Sequence, residues 1–136
     1  MGTVTMAARW SDDLNLGIGI MDRDHRALFV LLERFPGADE AGRVALFNEI
    51  VAELTEHFEH ENELMRRYDF FAYHCHHGEH ERVLAELRAL QDAAAKGDSS
   101  GAIDWVETKV EPWFMDHRNS MDLVTARFLA GCGYTD

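Results

Sequence analysis

The sequence predicts an all-α protein, built as an antiparallel up-down-up-down four-helix bundle with an N-terminal arm. Apolar residues recur at the helical i, i+3, i+4, i+7 spacing in four stretches, and short turn-forming segments separate these stretches. Alternation with the period of two that a strand requires never persists, and Val and Ile are outnumbered by Ala, Leu, Glu and Arg. The 136 residues, 46% of them apolar, are enough for one core, so we expect a single domain over residues 1 to 136.

Turn-forming and capping residues place the four helices along the chain. The predicted helices cover residues 22 to 35, about 39 to 68, about 73 to 95, and from the GDSSG segment to about 130. Asp22 is the predicted N-cap of the first helix. Pro112 lies inside the fourth helix and removes a backbone hydrogen bond, so we expect a bend just before Trp113. Residues 1 to 21 form the predicted arm, residues 22 to 130 the bundle, and residues 131 to 136 a C-terminal tail.

The charge balance argues against several classes of partner. With 13 basic against 25 acidic side chains the net charge is −12, which disfavours nucleic acid and anionic membrane surfaces. We expect no signal peptide and no membrane insertion, because no apolar run approaches the roughly 20 residues of a membrane span. Cys75 and Cys132 form no C-x-x-C pair, which fits a reducing compartment. These features predict a soluble cytoplasmic protein.

Histidine is the unusual residue type of this chain, which contains eight of them. Residues four apart on a helix point in similar directions and differ by about 6 Å in height. Two such pairs occur on predicted apolar faces, His57 with Glu61 and His76 with His80. In total, the histidines expected to face the bundle core are His25, His57, His76, His80 and His117.

Metal binding explains these side chains better than simple burial does. Unpaired buried imidazoles are costly, and so is the buried carboxylate of Glu61. Neutral nitrogens with a carboxylate suit iron, copper, nickel or zinc and do not suit calcium or magnesium. Five imidazoles and Glu61 exceed one tetrahedral zinc site, so two ions fit better than one. Spacing leaves the second carboxylate open among Glu111, Asp116 and Asp122, and Asp122 would lie about 140° from His117 around an α-helix, an awkward angle.

Four motifs stand in order along nearly the whole chain. They are LGIGIMDRDH at 16 to 25, HFEHENELM at 57 to 65, HHGEH at 76 to 80 and WFMDHRNSMD at 113 to 122. Together they resemble the hemerythrin family, specifically its single-domain bacterial members. The resemblance implies two non-haem iron ions, one held by His76, His80 and His117, the other by His25 and His57, with Glu61, Asp122 and an oxo or hydroxo group bridging them. It thereby selects Asp122 as the second carboxylate.

The function that this resemblance implies is reversible dioxygen binding, for storage, delivery or buffering. A site made mainly of neutral imidazoles fits this function, because it disfavours the higher oxidation states needed to cleave the O–O bond. Two alternatives stay open: an enzyme that reduces nitric oxide or peroxide at the same irons, and an oxygen or redox sensor that acts through a separate protein partner. We expect a binding protein rather than an enzyme.

Residues of the fourth helix are expected to line the oxygen pocket and keep water away from it. They are Trp113, Phe114, Met121 and Arg118. Arg118 stands where the family commonly has an apolar residue. Pointing inward, it would speed oxidation of the irons and support the enzyme alternative, whereas at the surface it would change nothing. Asp24 replaces the family's usual Gln before the first histidine and is expected to alter a hydrogen bond to a ligand imidazole.

The segment HFEHEN, residues 57 to 62, is expected to direct His57 and Glu61 inward. Asn62 is predicted to face outward, and His60 to lie at the edge of the core. Three residues that point away from the core offer at most an adventitious surface site for zinc or copper: His74, Cys75 and His77.

Overall fold

The computed structural model describes residues 10 to 134 and residue 136. A short 3-10 turn, Asp12–Leu14, precedes three α-helices, α1 (Gly19–Arg34), α2 (Glu40–Arg67) and α3 (Tyr73–Ala95). A fourth helix, residues 100 to 131, contains α4 (Ser100–Asp104), α5 (Val110–His117) and α6 (Leu123–Gly131), joined by the π-helical segments Trp105–Lys109 and Arg118–Asp122. Among the described residues there is no strand, and no helix is long and apolar enough to cross a membrane. The predicted all-α class is confirmed, and the helices pack as a helical bundle.

Capping residues mark the start of α2 and the end of α3 where the sequence predicts them. The Asp39 carboxylate accepts a hydrogen bond from the Gly42 backbone N–H at 2.8 Å. After α3, Gly97 adopts a φ of +101°, a conformation that residues with a side chain rarely adopt. The Asp98 N–H then donates to the Ala93 carbonyl at 2.9 Å, which closes the helix end.

The start of α1 differs from the prediction. The helix begins earlier, at Gly19, with Ile18 as its N-cap, so the prediction that Asp22 is the N-cap is wrong. The buried Asp22 carboxylate accepts hydrogen bonds from the backbone N–H groups of Leu16 at 2.7 Å and Gly17 at 3.1 Å. These bonds tie the preceding turn back onto the helix. Residues 19 to 21 of the predicted arm therefore belong to α1.

Residues 10 to 18 lie against the helices. Trp10 packs edge-on against Phe29 of α1, with the ring centroids 5.6 Å apart. Leu14 and Leu16 are partly buried against the apolar interior. The remainder of the predicted arm, residues 1 to 9, and residue 135 of the predicted tail lie outside the described residues.

A π-helical segment precedes Pro112 in the fourth helix. In this segment the Val110 N–H donates to the Trp105 carbonyl, five residues back. Pro112 follows in the first turn of α5, where its ring and missing N–H are tolerated because the preceding turn is already widened. The helix therefore continues through Pro112, and the irregular hydrogen bonding nearest to this residue lies at Trp105–Lys109. The bend just before Trp113 stays a prediction.

The interior consists of two apolar clusters with a polar layer between them. The large cluster includes Leu28, Leu54, Phe58, Val83 and Phe114. The small cluster includes Met21, Leu64, Ala126 and Leu129. α2 contributes Glu61 to this polar layer, and Glu61 lies between Phe58 of the large cluster and Leu64 of the small cluster. This layer contains the candidate site.

Candidate metal centre

Seven buried side chains from all four helices meet in the polar layer. They form two overlapping groups, in each of which the candidate ligand atoms lie within 4.8 Å of one another. One group is Glu61, His76, His80, His117 and Asp122, and the other is His25, His57, Glu61 and Asp122. No member is more than 4% exposed. The structure thus brings together the seven residues that the family resemblance implies as metal ligands, and neither Glu111 nor Asp116 joins them.

Glu61 lies between the two groups of histidines. Its Oε2 atom is 2.6 Å from His57 Nε2 and 3.8 Å from His25 Nε2. Its Oε1 atom is 3.3 Å from His76 Nε2 and 3.2 Å from His80 Nε2. Each carboxylate oxygen therefore faces one group, which is the arrangement that a bridging ligand needs.

Asp122 occupies a second position of the same kind. Its Oδ2 atom is 3.2 Å from His25 Nε2, while its Oδ1 atom is 3.0 Å from His76 Nε2 and 3.1 Å from His117 Nε2. The side chain is fully buried. Both carboxylates of the site are thus shared between the two groups.

The π-helical segment Arg118–Asp122 explains how Asp122 reaches the site. In a regular α-helix, five residues would turn Asp122 about 140° away from His117. In the π-helical segment the Leu123 N–H donates to the Arg118 carbonyl, five residues back. Hydrogen bonding from i to i+5 returns the fifth residue to the same side of the helix, as i to i+4 bonding returns the fourth. The angle that was awkward for an α-helix is therefore resolved by one widened turn.

Several candidate ligand atoms are buried without a hydrogen-bond partner. Among the described residues they include Nε2 of His25 and His80, Oε1 of Glu61 and both carboxylate oxygens of Asp122. These atoms lie close together but are not aligned as donors and acceptors, which is the pattern of ligands arranged around a common centre. Unpartnered buried polar atoms are costly, and a metal ion between them would satisfy them. Imidazole nitrogens with carboxylate oxygens suit a transition metal such as iron.

The pKa values of the cluster indicate that the two buried carboxylates favour positive charge beside them. Burial lowers the pKa of His25 and His76, but the Asp122 and Glu61 carboxylates outweigh burial and raise these pKa values to about 9 and about 10. Burial lowers the pKa of His80 to about 4. Burial also opposes ionisation of Glu61 and Asp122, yet the surrounding histidines hold the pKa of both carboxyls well below its usual range. Protonated imidazoles balance the carboxylates in the metal-free chain, and a bound cation would replace those protons.

The ligand pattern has a counterpart among known proteins. Residues 16–128 match the family model described as the hemerythrin HHE cation binding domain. The chain belongs to the hemerythrin family. The bacteriohemerythrin of Ralstonia nicotianae is 36% identical over 125 residues, which cover 92% of this chain and 90% of that relative. The bacteriohemerythrin of Aquifex aeolicus is 31% identical over 85 residues, 62% of this chain and 65% of the relative. No solved structure matches this hemerythrin chain.

Two residues that the sequence reasoning missed form hydrogen bonds to the Nδ1 atoms of candidate hemerythrin ligands, on the side away from the centre. The prediction that Asn62 faces outward is wrong, because its side chain is buried and its Oδ1 lies 2.9 Å from His80 Nδ1. Thr125 Oγ1 lies 2.8 Å from His76 Nδ1. Asn62 lies four positions after Phe58, and Thr125 lies three positions after Asp122. This helical spacing from another inward residue is the sequence signal that could have predicted their burial.

Two of the four predicted pocket residues pack on ligand imidazoles. Phe114 is buried and meets the His25 ring edge-on, with centroids 4.9 Å apart. Trp113 stacks on His117 at 4.9 Å with 17° between the ring planes, and its Nε1–H donates to Glu79 Oε2 at 2.9 Å. The two rings shield these imidazoles from water. Their role in an oxygen pocket stays a prediction.

Met121, the third predicted pocket residue, is partly buried beside a small cavity of about 130 Å³. The other residues that line this cavity are Phe70, Ala72, Cys75, His76, Ser120 and Val124. Met121 therefore borders a space beside His76, in the group that contains three histidines. Its role in oxygen binding also stays a prediction.

Arg118, the fourth predicted pocket residue, does not line the site. Its Nε–H donates to the Leu14 carbonyl at 3.1 Å, and its Nη2 donates to the carbonyls of Asp13 and Asn15, each at 3.4 Å. A guanidinium needs several acceptors and finds them in the segment before α1, so it turns away from the apolar interior. The prediction of Arg118 as a pocket residue is therefore wrong, and the alternative in which it reaches the surface is correct.

We expect Arg118→Leu to loosen the segment before α1 and to leave the metal centre intact. The substitution removes the hydrogen bonds to residues 13 to 15, at a cost of about 1 kcal/mol in the free energy of unfolding. Amide hydrogen exchange should become faster in this segment, while metal content stays that of the unaltered chain. Arg127→Leu, at an exposed position of α6, is the control. Metal loss in Arg118→Leu alone would place the guanidinium at the centre after all.

Asp24 pairs with His60 rather than with a ligand imidazole. The Asp24 Oδ2 and His60 Nδ1 atoms are 2.7 Å apart, and the His60 side chain is 35% exposed, at the edge of the core as predicted. The expected change in a hydrogen bond from Asp24 to a ligand imidazole is not found in the described part of the chain. On α3, His77 faces Glu81 at 3.7 Å, and the described residues form no metal-binding group that includes His74.

Proposed function

We propose that this hemerythrin-family chain binds dioxygen reversibly at a non-haem diiron centre, as a store, carrier or buffer of oxygen. The observation that carries the proposal is a buried set of five imidazoles and two carboxylates, arranged in two groups that share Glu61 and Asp122. Because each carboxylate offers one oxygen to each group, the arrangement supports two ions rather than one.

The ligands divide between the two ions. His76, His80 and His117 would hold one iron and His25 and His57 the other, with Glu61 and Asp122 bridging them beside an oxo or hydroxo group. The two ions, when bound, supply the electrons and the free coordination position that dioxygen needs. Fewer histidines serve the second position, so that position has room for an external ligand.

The chain's own contribution is a dry site lined by aromatic rings. Phe114 packs between His25 and Phe29, with ring centroids 4.9 and 5.0 Å away. Phe58 lies over His80 at 4.0 Å. These rings exclude water and so limit the delivery of protons to the ligands. Because neutral imidazoles dominate the donor set, the residues support reversible binding rather than O–O cleavage.

We further propose that the helices run antiparallel, in up-down-up-down order, within one domain of residues 1 to 136. The order of the clusters along the chain supports this arrangement. α1 and α3 contribute to the large cluster after their ligands, whereas α2 contributes to it before Glu61 and the fourth helix before His117. The residues before α1 would serve as an arm, and those after α6 as a short tail. A cytoplasmic location stays a prediction.

The enzyme alternative, reduction of nitric oxide or peroxide, has two features that would support it, an inward Arg118 and an open pocket. The Arg118 guanidinium donates to backbone carbonyls before α1 and does not point inward, so Arg118 gives the enzyme alternative no support. A sensing role would need a separate protein partner, and no described surface identifies one. The proposal is therefore ligand binding without turnover.

Visible absorption tests the proposal directly. An anaerobically reduced sample with about two irons per chain should develop an absorption band when air is admitted, and the band should disappear when oxygen is removed. A band that never forms, or that decays at once to a form that does not release oxygen, would contradict reversible binding. Turnover of nitric oxide or peroxide with a reductant would then be assayed on the same sample.

A further inference from the structure

Asn62 and Thr125 each anchor one ligand imidazole by a hydrogen bond at its Nδ1 atom. The Asn62 amide oxygen only accepts hydrogen bonds, so Nδ1 of His80 carries a hydrogen and leaves Nε2 to face the centre. Thr125 donates its hydroxyl to Met65 Sδ at 3.9 Å and therefore accepts the hydrogen bond from His76 Nδ1 at 2.8 Å. Both rings are thus held in the orientation that metal ligation through Nε2 requires.

Stacked aromatic rings restrict the same group of histidines further. Phe58 lies parallel to His80, with ring centroids 4.0 Å apart and 7° between the planes. Trp113 lies nearly parallel to His117, at 4.9 Å and 17°. Each imidazole of the group His76, His80 and His117 is therefore held by a hydrogen bond, a stacked ring or both. Such preorganisation reduces the entropy that is lost when a metal ion binds.

The pair His25 and His57 has less support. The Nδ1 atoms of both residues are buried and have no hydrogen-bond partner in the part of the chain that the structure describes. The rings around them are not parallel: Phe114 meets His25 at 88° and Phe58 is tilted by 54° from His57. The described residues thus leave the Nδ1 side of both imidazoles without an anchoring hydrogen bond, and an arriving metal ion must fix the orientation of these rings.

We propose that the two metal positions are unequal. The position between His76, His80 and His117 binds a divalent ion first and more tightly, and the position between His25 and His57 fills second and exchanges its ion more readily. One additional imidazole and two imidazoles anchored at Nδ1 favour the first position. A chain with a single ion therefore holds it away from the position that has room for dioxygen. The inference rests on the proposed metal centre, though not on dioxygen binding.

Titration of the metal-free chain with Co²⁺ under anaerobic conditions tests this order. Calorimetry and visible absorption should resolve two binding steps for the unaltered protein. Asn62→Ala and Thr125→Val should each weaken the tighter step roughly 10- to 100-fold, the usual effect of removing a hydrogen-bond partner of a metal ligand. Removal of a ligand of the weaker position by His57→Leu should delete the weaker step and keep the tighter one.

Matched variants separate this effect from a general loss of structure. Asn48 lies on the same helix as Asn62, and its Oδ1 accepts from Gln91 Nε2 of α3 at 3.0 Å, so Asn48→Ala removes the same kind of α2–α3 bond away from the site. It should leave both steps unchanged. Thr125→Ser keeps the hydroxyl and should keep the tighter step, while circular dichroism verifies the fold of every variant.

Several results would overturn the inference. Two equal steps in the unaltered chain would do so, as would loss of the tighter step in His57→Leu. An unchanged tighter step in both Asn62→Ala and Thr125→Val would have the same meaning. A chain that takes up no Co²⁺ would overturn the metal centre as well. Two unequal steps in a chain that fails to bind dioxygen would remove only the oxygen proposal.

Discussion

Glu61→Gln is expected to abolish stable metal binding at both positions. Glu61 directs one carboxylate oxygen at each group of histidines, so one substitution removes one of the two charged oxygen ligands that each position has. Loss of a residue that only supports a metal ligand costs roughly 10- to 100-fold in metal affinity, so loss of a shared ligand should cost more than about 100-fold at each position. Metal analysis after anaerobic reconstitution with iron should find far less metal in the variant than in the unaltered chain.

Glu59→Gln provides the control for Glu61→Gln. Glu59 lies on the same helix, is exposed, and contacts Arg66 at 3.3 Å, so its substitution removes an identical charge outside the site. It should leave metal content unchanged, because an exposed ion pair contributes little to stability. A Glu61→Gln chain that still held about two ions would show that this carboxylate is not the bridge.

Removal of the metal should lower the thermal stability of the chain by a large margin. Metal ions bind the buried cluster only in the folded state, so at free metal about 1,000-fold above Kd they stabilise it by roughly 4 kcal/mol. For a domain of this size that difference corresponds to a fall in Tm of roughly 10 to 20 °C on removal of the metal. Calorimetric scans with and without a chelator measure it.

The metal-free chain should nevertheless remain folded. The raised pKa values of His25 and His76 keep these imidazoles protonated at neutral pH, where they balance the charges of Glu61 and Asp122. Chelator should leave the Tm of Glu61→Gln nearly unchanged, because that variant has little metal to lose. An equal fall in Tm for both proteins would mean that the chelator acts elsewhere.

Helical periodicity and the spacing of ligands were enough to predict the four helices and six of the seven residues of the site. His57 with Glu61 and His76 with His80 are four positions apart, a spacing that an α-helix turns into proximity without help from the rest of the fold. The start of α2 and the end of α3 could also be predicted from local sequence, because Asp39 caps the first and Gly97 the second. Asp122 is different: spacing left it open, and only the resemblance to a family selected it.

The features that escaped prediction depend on residues far away in the sequence or on a helix that is not α-helical. The direction of Arg118 is decided by the Leu14 carbonyl, 104 positions away. The burial of Asn62 is decided by His80 on another helix, and polarity alone assigned it to the surface. A pattern based on 100° per residue also has no means of representing a π-helical turn.

The π-helical turn Arg118–Asp122 divides the fourth helix into two stretches whose buried faces differ in rotational phase. An uninterrupted α-helix that buries His117 would next bury positions 121, 124 and 128. Instead Asp122, Thr125 and Leu129 are buried, and Val124 is 42% exposed. If this turn closed into an α-turn with no change of sequence, the Asp122 carboxylate would rotate away from His117, and Met121, Val124 and Phe128 would turn inward. The width of this one turn therefore decides whether the Asp122 carboxylate or an apolar side chain faces the interior of the bundle.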